Sequence, residues 1–272
     1  MDERNLAELK TLSKEARKLF IEMMANLGVG HIGGSLSIID ALVYLYYREM
    51  RVRPQEPRWE DRDRLVISKG HAGPALYALL AMKGFFDKKE LMTLNKLGTH
   101  LPSHCDMKLT TGIDMTAGSL GQGLSAAVGM AIALRMQKKD SRVYCIVGDG
   151  EAQEGQIWEA LMYAGSQQLD NLVVIIDDNG MQIDNYTDAL NAVRPFDKRL
   201  AAFGFEVINV DGHDFNQLDN AFYKAKTIKK RPTAVIMSTV KGKGFSFCEG
   251  KLSNHNMKVS ADDLASALKE LA

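Results

Sequence analysis

Gly148-Asp149-Gly150 follows directly on the apolar run Val143–Val147, and Asn179 stands shortly after a second such run, Leu172–Ile176. Short, continuously apolar, β-branched runs read as strands buried on both faces. A carboxylate and a carboxamide are therefore expected at one edge of neighbouring strands, where parallel sheets bind their ligands. Glycines on both sides of Asp149 let the backbone approach a bulky anion, and a following helix offers free N–H groups and the positive end of its dipole. One carboxylate cannot complete the octahedral oxygen shell of Mg²⁺, so Asn179 and the backbone carbonyl of Met181, just past Gly180, are candidate further donors. A Gly-Asp-Gly turn alone is usually only a turn; the second strand-end donor moves the reading towards metal and phosphate chemistry.

His31, His71 and His104 each sit beside a glycine-rich or proline-containing turn. Imidazole titrates near working pH and suits proton transfer, although a lone histidine is more often merely solvated or hydrogen-bonded. Lys241, in Lys241-Gly242-Lys243-Gly244, would add positive charge against an anion; His255 follows it between two asparagines. His100 and His213 carry no assignment.

The elements that must position these groups can be outlined. Leu6, Leu9, Leu12, Ala16, Leu19, Phe20 and Met23 recur at helical intervals, predicting an amphipathic helix over residues 5–27 that ends at Gly28 and Gly30. A second helix is expected from Ile38 to about Met50, capped by Ser35 or Ser37, with Pro54 and Pro57 in the loop beyond. A third strand is expected over Ala234–Val240, and a helix over Glu154–Gln168 between the first two, about the length a parallel crossover requires. Residues 118–136 read as a helix rich in Gly, Ala and Ser, suited to a buried or intersubunit position. The expectation is a single α/β domain over residues 1–272, with a mainly parallel central sheet covered by helices on both faces.

Composition supports this. The chain has 272 residues, 46% hydrophobic and 25% charged, enough to bury a large core. Lys+Arg and Asp+Glu both number 34, so net charge argues for neither a nucleic-acid nor an anionic-membrane partner. The charged N-terminus and the absence of a long apolar run predict a cytoplasmic protein. Cys105, Cys145 and Cys248 lack the pairing of a disulfide framework or zinc site and read as small buried thiols.

Gly148-Asp149-Gly150 followed about thirty residues on by Asn179 resembles the signature of thiamine diphosphate enzymes. Gly30-His31-Ile32-Gly33-Gly34, Ser68-Lys69-Gly70-His71-Ala72, Pro102-Ser103-His104 and Gly118-Ser119-Leu120-Gly121-Gln122-Gly123 narrow the resemblance to the transketolase family, in whose order they occur across most of the chain. The resemblance implies the diphosphate-domain fold of that family. It also implies that Asp149, Asn179 and the Met181 carbonyl hold a divalent metal (Mg²⁺, or Ca²⁺ or Mn²⁺) against the cofactor's diphosphate, beside Gly148 and Gly150. Gly118 and Leu120 are assigned to the aminopyrimidine ring, Lys241 and His255 to the diphosphate, and His31, His71, His104 and His255 to the active-site channel, where His71 also binds the cofactor. For Leu120 the plainer alternative is core packing. Glu154 matches a glutamate at the family's dimer interface, though it could simply favour a helix start.

Transketolases activate the cofactor with a glutamate from a second, pyrimidine-binding domain, whereas this chain stops at Ala272. The resemblance therefore implies a separate C-terminal subunit carrying that domain, an α2β2 assembly, and transfer of a two-carbon ketol unit between sugar phosphates. Rival readings are the α subunit of a 2-oxoacid dehydrogenase, which should lack the Gly30-His31 and Ser68–His71 elements, and a nucleotide-binding oxidoreductase, whose glycine fingerprint should follow an early strand rather than a helix. A non-catalytic regulatory subunit is opposed by the presence of every candidate site residue.

Overall fold

The structure, a computed structural model, describes residues 1–183 and 185–272. Among the described residues the strands are β1 (Val29–Gly30), β2 (Arg64–Ile67), β3 (Val143–Gly148), β4 (Leu172–Asp178), β5 (Glu206–Asp211), β6 (Thr233–Ser238) and β7 (Met257–Lys258). The central sheet is wholly parallel, in the order β2-β3-β4-β6-β5; β1 and β7 form a separate antiparallel pair.

Successive residues of a strand point to opposite faces. Tyr144 and Ile146 of β3 accordingly join one apolar cluster with α1 (Glu3–Leu27), while Val143, Cys145 and Val147 join a second on the other face. Both faces are covered, which is why these strands carry no polar alternation. Helices α2 (Gly33–Leu36), α3 (Ile39–Tyr44) and α4 (Gly73–Lys83) contribute to the first cluster. Helices α5 (Gln122–Met136) and α6 (Gly155–Ser166) contribute to the second. Of the remaining helices, α7 is Thr187–Leu190 and α8 (Phe196–Ala202) packs in the second cluster; α9 (Phe215–Thr227) and α10 (Ala261–Leu271) pack in the first.

Helix α1 starts at Asp2, whose carboxylate accepts from the Asn5 N–H at 2.7 Å, and ends at Gly28, at φ 91°. The helix expected over 38–50 is present as Ile39–Glu49, α3 running on into a wider five-residue turn, Leu45–Glu49, with the short α2 as a separate turn before it. Ser37 caps nothing; its hydroxyl reaches the sheet at Asp177, at 2.7 Å. The helix expected from residue 118 begins at Gln122, because Gly121 at φ 87° breaks the run and leaves 118–121 as a loop. Nor does a helix start directly after Gly150: a short turn, Glu151–Gln153, intervenes before α6. The third expected strand stops at Ser238, leaving Val240 in a turn. Strands β2 and β5 and helices α4, α9 and α10 are additions to the expected elements. The three cysteines are buried and unpaired. Among the described residues no helix is long and apolar enough to cross a membrane.

Candidate active site

Register places Gly148 opposite Asp177 and Asp178 opposite Ser238, so β3, β4 and β6 end together at the carboxyl edge of the sheet. A cavity of about 380 Å³ opens there. It is lined by His31, His71, His104 and His255, by Gly118, Leu120, Gly148, Asp149 and Gly150, and by Glu154, Asn179, Met181 and Lys241. The candidate residues, scattered from 31 to 255, thus share one site. A larger cavity, of about 660 Å³, is lined by residues 56–59, 62 and 107–114 and holds none of them.

Asp149 is 1% exposed. Its Oδ2 accepts from the Gly180 N–H (2.7 Å) and the Thr187 hydroxyl (2.9 Å), and its Oδ1 from the Gly150 N–H (2.9 Å). Burial, reinforced by the nearby Asp177 carboxylate, pushes its pKa up to about 6. Asn179 donates its amide to Asp177 Oδ2 at 2.9 Å. Because an ionised carboxylate only accepts, this bond fixes which end of the amide is oxygen. That oxygen accepts from the Met181 N–H at 3.1 Å. A buried carboxylate, an oriented amide oxygen and a nearby carbonyl form an all-oxygen donor set suited to a hard divalent cation, although the Arg194 guanidinium also stands 3.4 Å from Asp149 Oδ2. The donor set therefore fits a metal–diphosphate ligand.

The histidines gather for a topological reason. The β1–β7 pairing sets Gly30 opposite Met257, which carries His31 and His255 to one place. Their ring centroids lie 5.4 Å apart; His71 is 5.3 Å from His31 and 5.0 Å from His255, and His104 is 5.4 Å from His31. Burial lowers the pKa of all four, aided at His71 and His255 by nearby lysines, and His255 falls to about 4. At neutral pH they are uncharged imidazoles, able to accept as well as donate. Lys241, 2% exposed, donates to the Gln182 carbonyl (3.1 Å) and lies 3.3 Å from His255 Nδ1. Burial and the Lys69 charge bring its pKa down to about 8.

Leu120 belongs to neither apolar cluster and faces the cavity half-buried, so core packing does not explain it. Glu154 is exposed at the start of α6, at the cavity rim, and makes no capping bond.

Two buried carboxylates that sequence reasoning passed over hold the site together. Glu151 accepts from the Ser68 hydroxyl (2.5 Å) and the N–H groups of Gly121 (2.9 Å) and Gly148 (3.1 Å), joining three of the motif segments. Asp177 accepts from Lys69 (2.6 Å), Ser37 (2.7 Å), Asn179 (2.9 Å) and Thr239. Burial alone would raise the Asp177 pKa, but the Lys69 ammonium and these donors pull it below the usual carboxylate value. The available signal was an aspartate closing an otherwise apolar run. Lys69 and Gln182 also line the cavity.

A parallel sheet covered on both faces, with oxygen donors and a basic, histidine-lined cavity at its carboxyl edge, defines the class of domain: one that holds a metal-bound diphosphate. The comparisons with known proteins name the cofactor and the family. Residues 9–272 match the family model described as transketolase, thiamine diphosphate binding domain. The chain is 52% identical over 264 residues to a 6-deoxy-6-sulfo-D-fructose transketolase subunit of Clostridium sp. (strain MSTE9), covering 97% of this chain and 96% of that one. It is 38% identical to one of the subunits of an apulose-4-phosphate transketolase from Phocaeicola vulgatus, covering 97% and 94%. A solved transketolase from Leishmania mexicana superposes with a TM-score of 0.92 at 31% identity, over 97% of this chain and 41% of that one. The chain belongs to the transketolase family, as its thiamine diphosphate-binding domain.

Proposed function

We propose that this chain is the diphosphate-binding subunit of a two-chain transketolase, moving a two-carbon ketol unit from a ketose phosphate to an aldose phosphate. One observation carries the reading: Asp149, Asn179 and Met181 line the same cavity as Lys241 and the four histidines. In it, Asp149, Asn179 and the Met181 carbonyl hold Mg²⁺, and Gly148 and Gly150 leave room for the diphosphate. Lys241 and His255 face that anion, and Gly118 and Leu120 meet the aminopyrimidine ring. Thiamine diphosphate bound there would supply the nucleophilic carbon and the electron sink needed to break the ketose C–C bond and remake it on the acceptor aldose. His31, His71 and His104 hold sugar hydroxyls and move protons there, a role that suits neutral imidazoles. Glu154 belongs to the interface between subunits.

A partner subunit supplying the pyrimidine-binding domain and its glutamate is supported by length. The two subunit-named relatives are covered almost entirely, whereas the solved transketolase is covered over 41% of its length. We place the two chains in an α2β2 assembly. The 52% identity to the sulfo-fructose transketolase subunit favours a second reading of the donor, as a ketose with a sulfonate at C6.

The test is turnover of the chain alone and with its partner subunit, given thiamine diphosphate, Mg²⁺, an aldose phosphate acceptor and, as donor, either pyruvate or one of a panel of 6-phospho and 6-sulfo ketoses. Ketol transfer only with the partner is expected. Substantial turnover by the chain alone refutes the split enzyme, and pyruvate decarboxylation without ketol transfer refutes the reaction.

A further inference from the structure

Lys241 sits in a turn gripped from outside the cavity. The backbone N–H of Val240 donates to His213 Nε2 at 2.9 Å. An N–H can only donate, so that ring nitrogen accepts, and the neutral imidazole carries its proton on Nδ1. Nδ1 lies 2.7 Å from Asp40 Oδ2. Asp40 is buried and takes a two-pronged contact from Arg17, at 2.9 and 2.8 Å, with the Ser13 hydroxyl also on it. Burial would raise the Asp40 pKa, but the Arg17 guanidinium and these hydrogen bonds hold it well below the carboxylate range. The third face of the same guanidinium, Nε, donates to the Lys243 carbonyl at 3.1 Å. The network thus holds the turn on both sides of Lys241, the N–H before it and the carbonyl after it.

The turn also closes on itself, Lys243 N–H donating to the Val240 carbonyl at 3.1 Å, and leans on Gly33, whose carbonyl accepts from the Gly242 N–H at 3.0 Å, but neither contact reaches the Val240 N–H or the Lys243 carbonyl that the network holds. Gly242 and Gly244 lie at φ 84° and 108°, conformations that favour glycine. A Cβ on Gly244 would stand 2.6 Å from Arg17 Nε, so the backbone passes directly over the guanidinium. None of Arg17, Asp40 and His213 lines the cavity, and they come from α1, α3 and the loop before α9.

We propose that Arg17, Asp40 and His213 are positioning residues that set the Lys241 ammonium against the cofactor's diphosphate. The proposal rests on the reading of Lys241 as a diphosphate contact. A buried charge-assisted network resists displacement, and a shift of about 1 Å at Lys241 changes a hydrogen bond into a poor contact.

The experiment is a double-mutant cycle on the full chain, reading the Kd for thiamine diphosphate in Mg²⁺ by calorimetry, with melting temperature followed in parallel. His213→Ala is expected to weaken binding about tenfold, the size of one charge-assisted contact. His213→Gln, whose Oε1 can accept from Val240, recovers most of that loss. In a Lys241→Met background, His213→Ala costs nothing further. An equal loss in both backgrounds overturns the proposal and makes the network a general prop of the fold; wild-type affinity in His213→Ala overturns it outright. If Lys241→Met itself leaves the Kd unchanged, the diphosphate reading of Lys241 falls, and the proposal with it. Should His213→Ala fail to fold, Arg17→Lys, which keeps the charge but loses the fork, takes its place in the same cycle.

Discussion

Replacing Glu151 by glutamine changes one atom and tests whether a single side chain joins three motifs. The carboxylate receives three donors, one from each of the segments around Ser68, Gly121 and Gly148, and donates nothing. An amide has one acceptor oxygen. If its NH₂ faces Gly148, that N–H loses its acceptor; if it faces the other side, Gly121 N–H does, while the Ser68 hydroxyl can turn and accept. Losing a hydrogen bond to a charged acceptor costs about 1.5–3 kcal/mol, and an N–H left unpaired and buried adds about 1–3 kcal/mol. Burial raises the Glu151 pKa, so its ionised form carries a desolvation cost that the amide lacks. That relief offsets part of the loss and leaves about 2 kcal/mol of destabilisation. For a chain of this size, a melting temperature lower by about 4–8 °C follows. Because Gly118 and Leu120 of the Gly121 loop and Gly148 all line the cavity, thiamine diphosphate should also bind about tenfold less tightly, measured by calorimetry in excess Mg²⁺. A Glu151→Gln protein with unchanged melting temperature and affinity refutes the view that this carboxylate sets the spacing of the site.

Other predictions concern charge and space. Asp149→Ala is expected to abolish Mg²⁺-dependent binding of thiamine diphosphate; unchanged affinity removes Asp149 from the metal. The folded-state pKa of Asp149 is raised to about 6, so its contribution to stability is present below its ordinary pKa and lost as pH climbs through about 6. Without metal, the stability of the wild type relative to Asp149→Asn should therefore fall between about pH 4 and pH 6 in denaturant titrations, and a pH-independent difference contradicts the shift. His255, lowered to about 4, behaves oppositely: it contributes stability above its unfolded pKa that is lost as pH falls from about 6.5 towards 4. Its ring carbon resonances should report a neutral imidazole at about pH 5 by NMR, and a titration midpoint near 6.5 defeats the assignment. A Cβ on Gly123 would lie 2.6 Å from the Ser68 Cα, so Gly123→Ala should cost about 1–3 kcal/mol in urea unfolding, and a neutral change means α5 can move off the end of β2.

Much of the site was legible because its chemistry is local. Gly148-Asp149-Gly150 and Asn179 each stand at or just beyond the end of an apolar β-branched run, and such runs announce buried parallel strands whatever surrounds them. Helix α1 was equally plain, since a 3.6-residue apolar stripe with a glycine stop needs no knowledge of its neighbours. The helix drawn from residue 118 was misplaced because composition carries no sign of Gly121's left-handed φ. Strand β2, of four residues, is too short to declare itself, and β5, with its half-buried and exposed residues, lacks an unbroken apolar run.

The sequence by itself determined which residues could bind metal and anion, and which elements would bring them to the sheet edge. Only the tertiary structure decided how those residues are held. Glu151, Asp177, Asp40 and His213 are ordinary polar residues by type, and apart from Asp177, which closes an apolar run, nothing in their local spacing marks them. Each takes at least one partner from far along the chain, 83 positions for Ser68 on Glu151, 140 for Ser37 on Asp177 and 173 between Asp40 and His213, that arrives within hydrogen-bonding range only after folding. A hydrogen bond is short-ranged and directional, so its partners are defined by the packed fold, whereas apolar periodicity is written along the chain before any packing occurs.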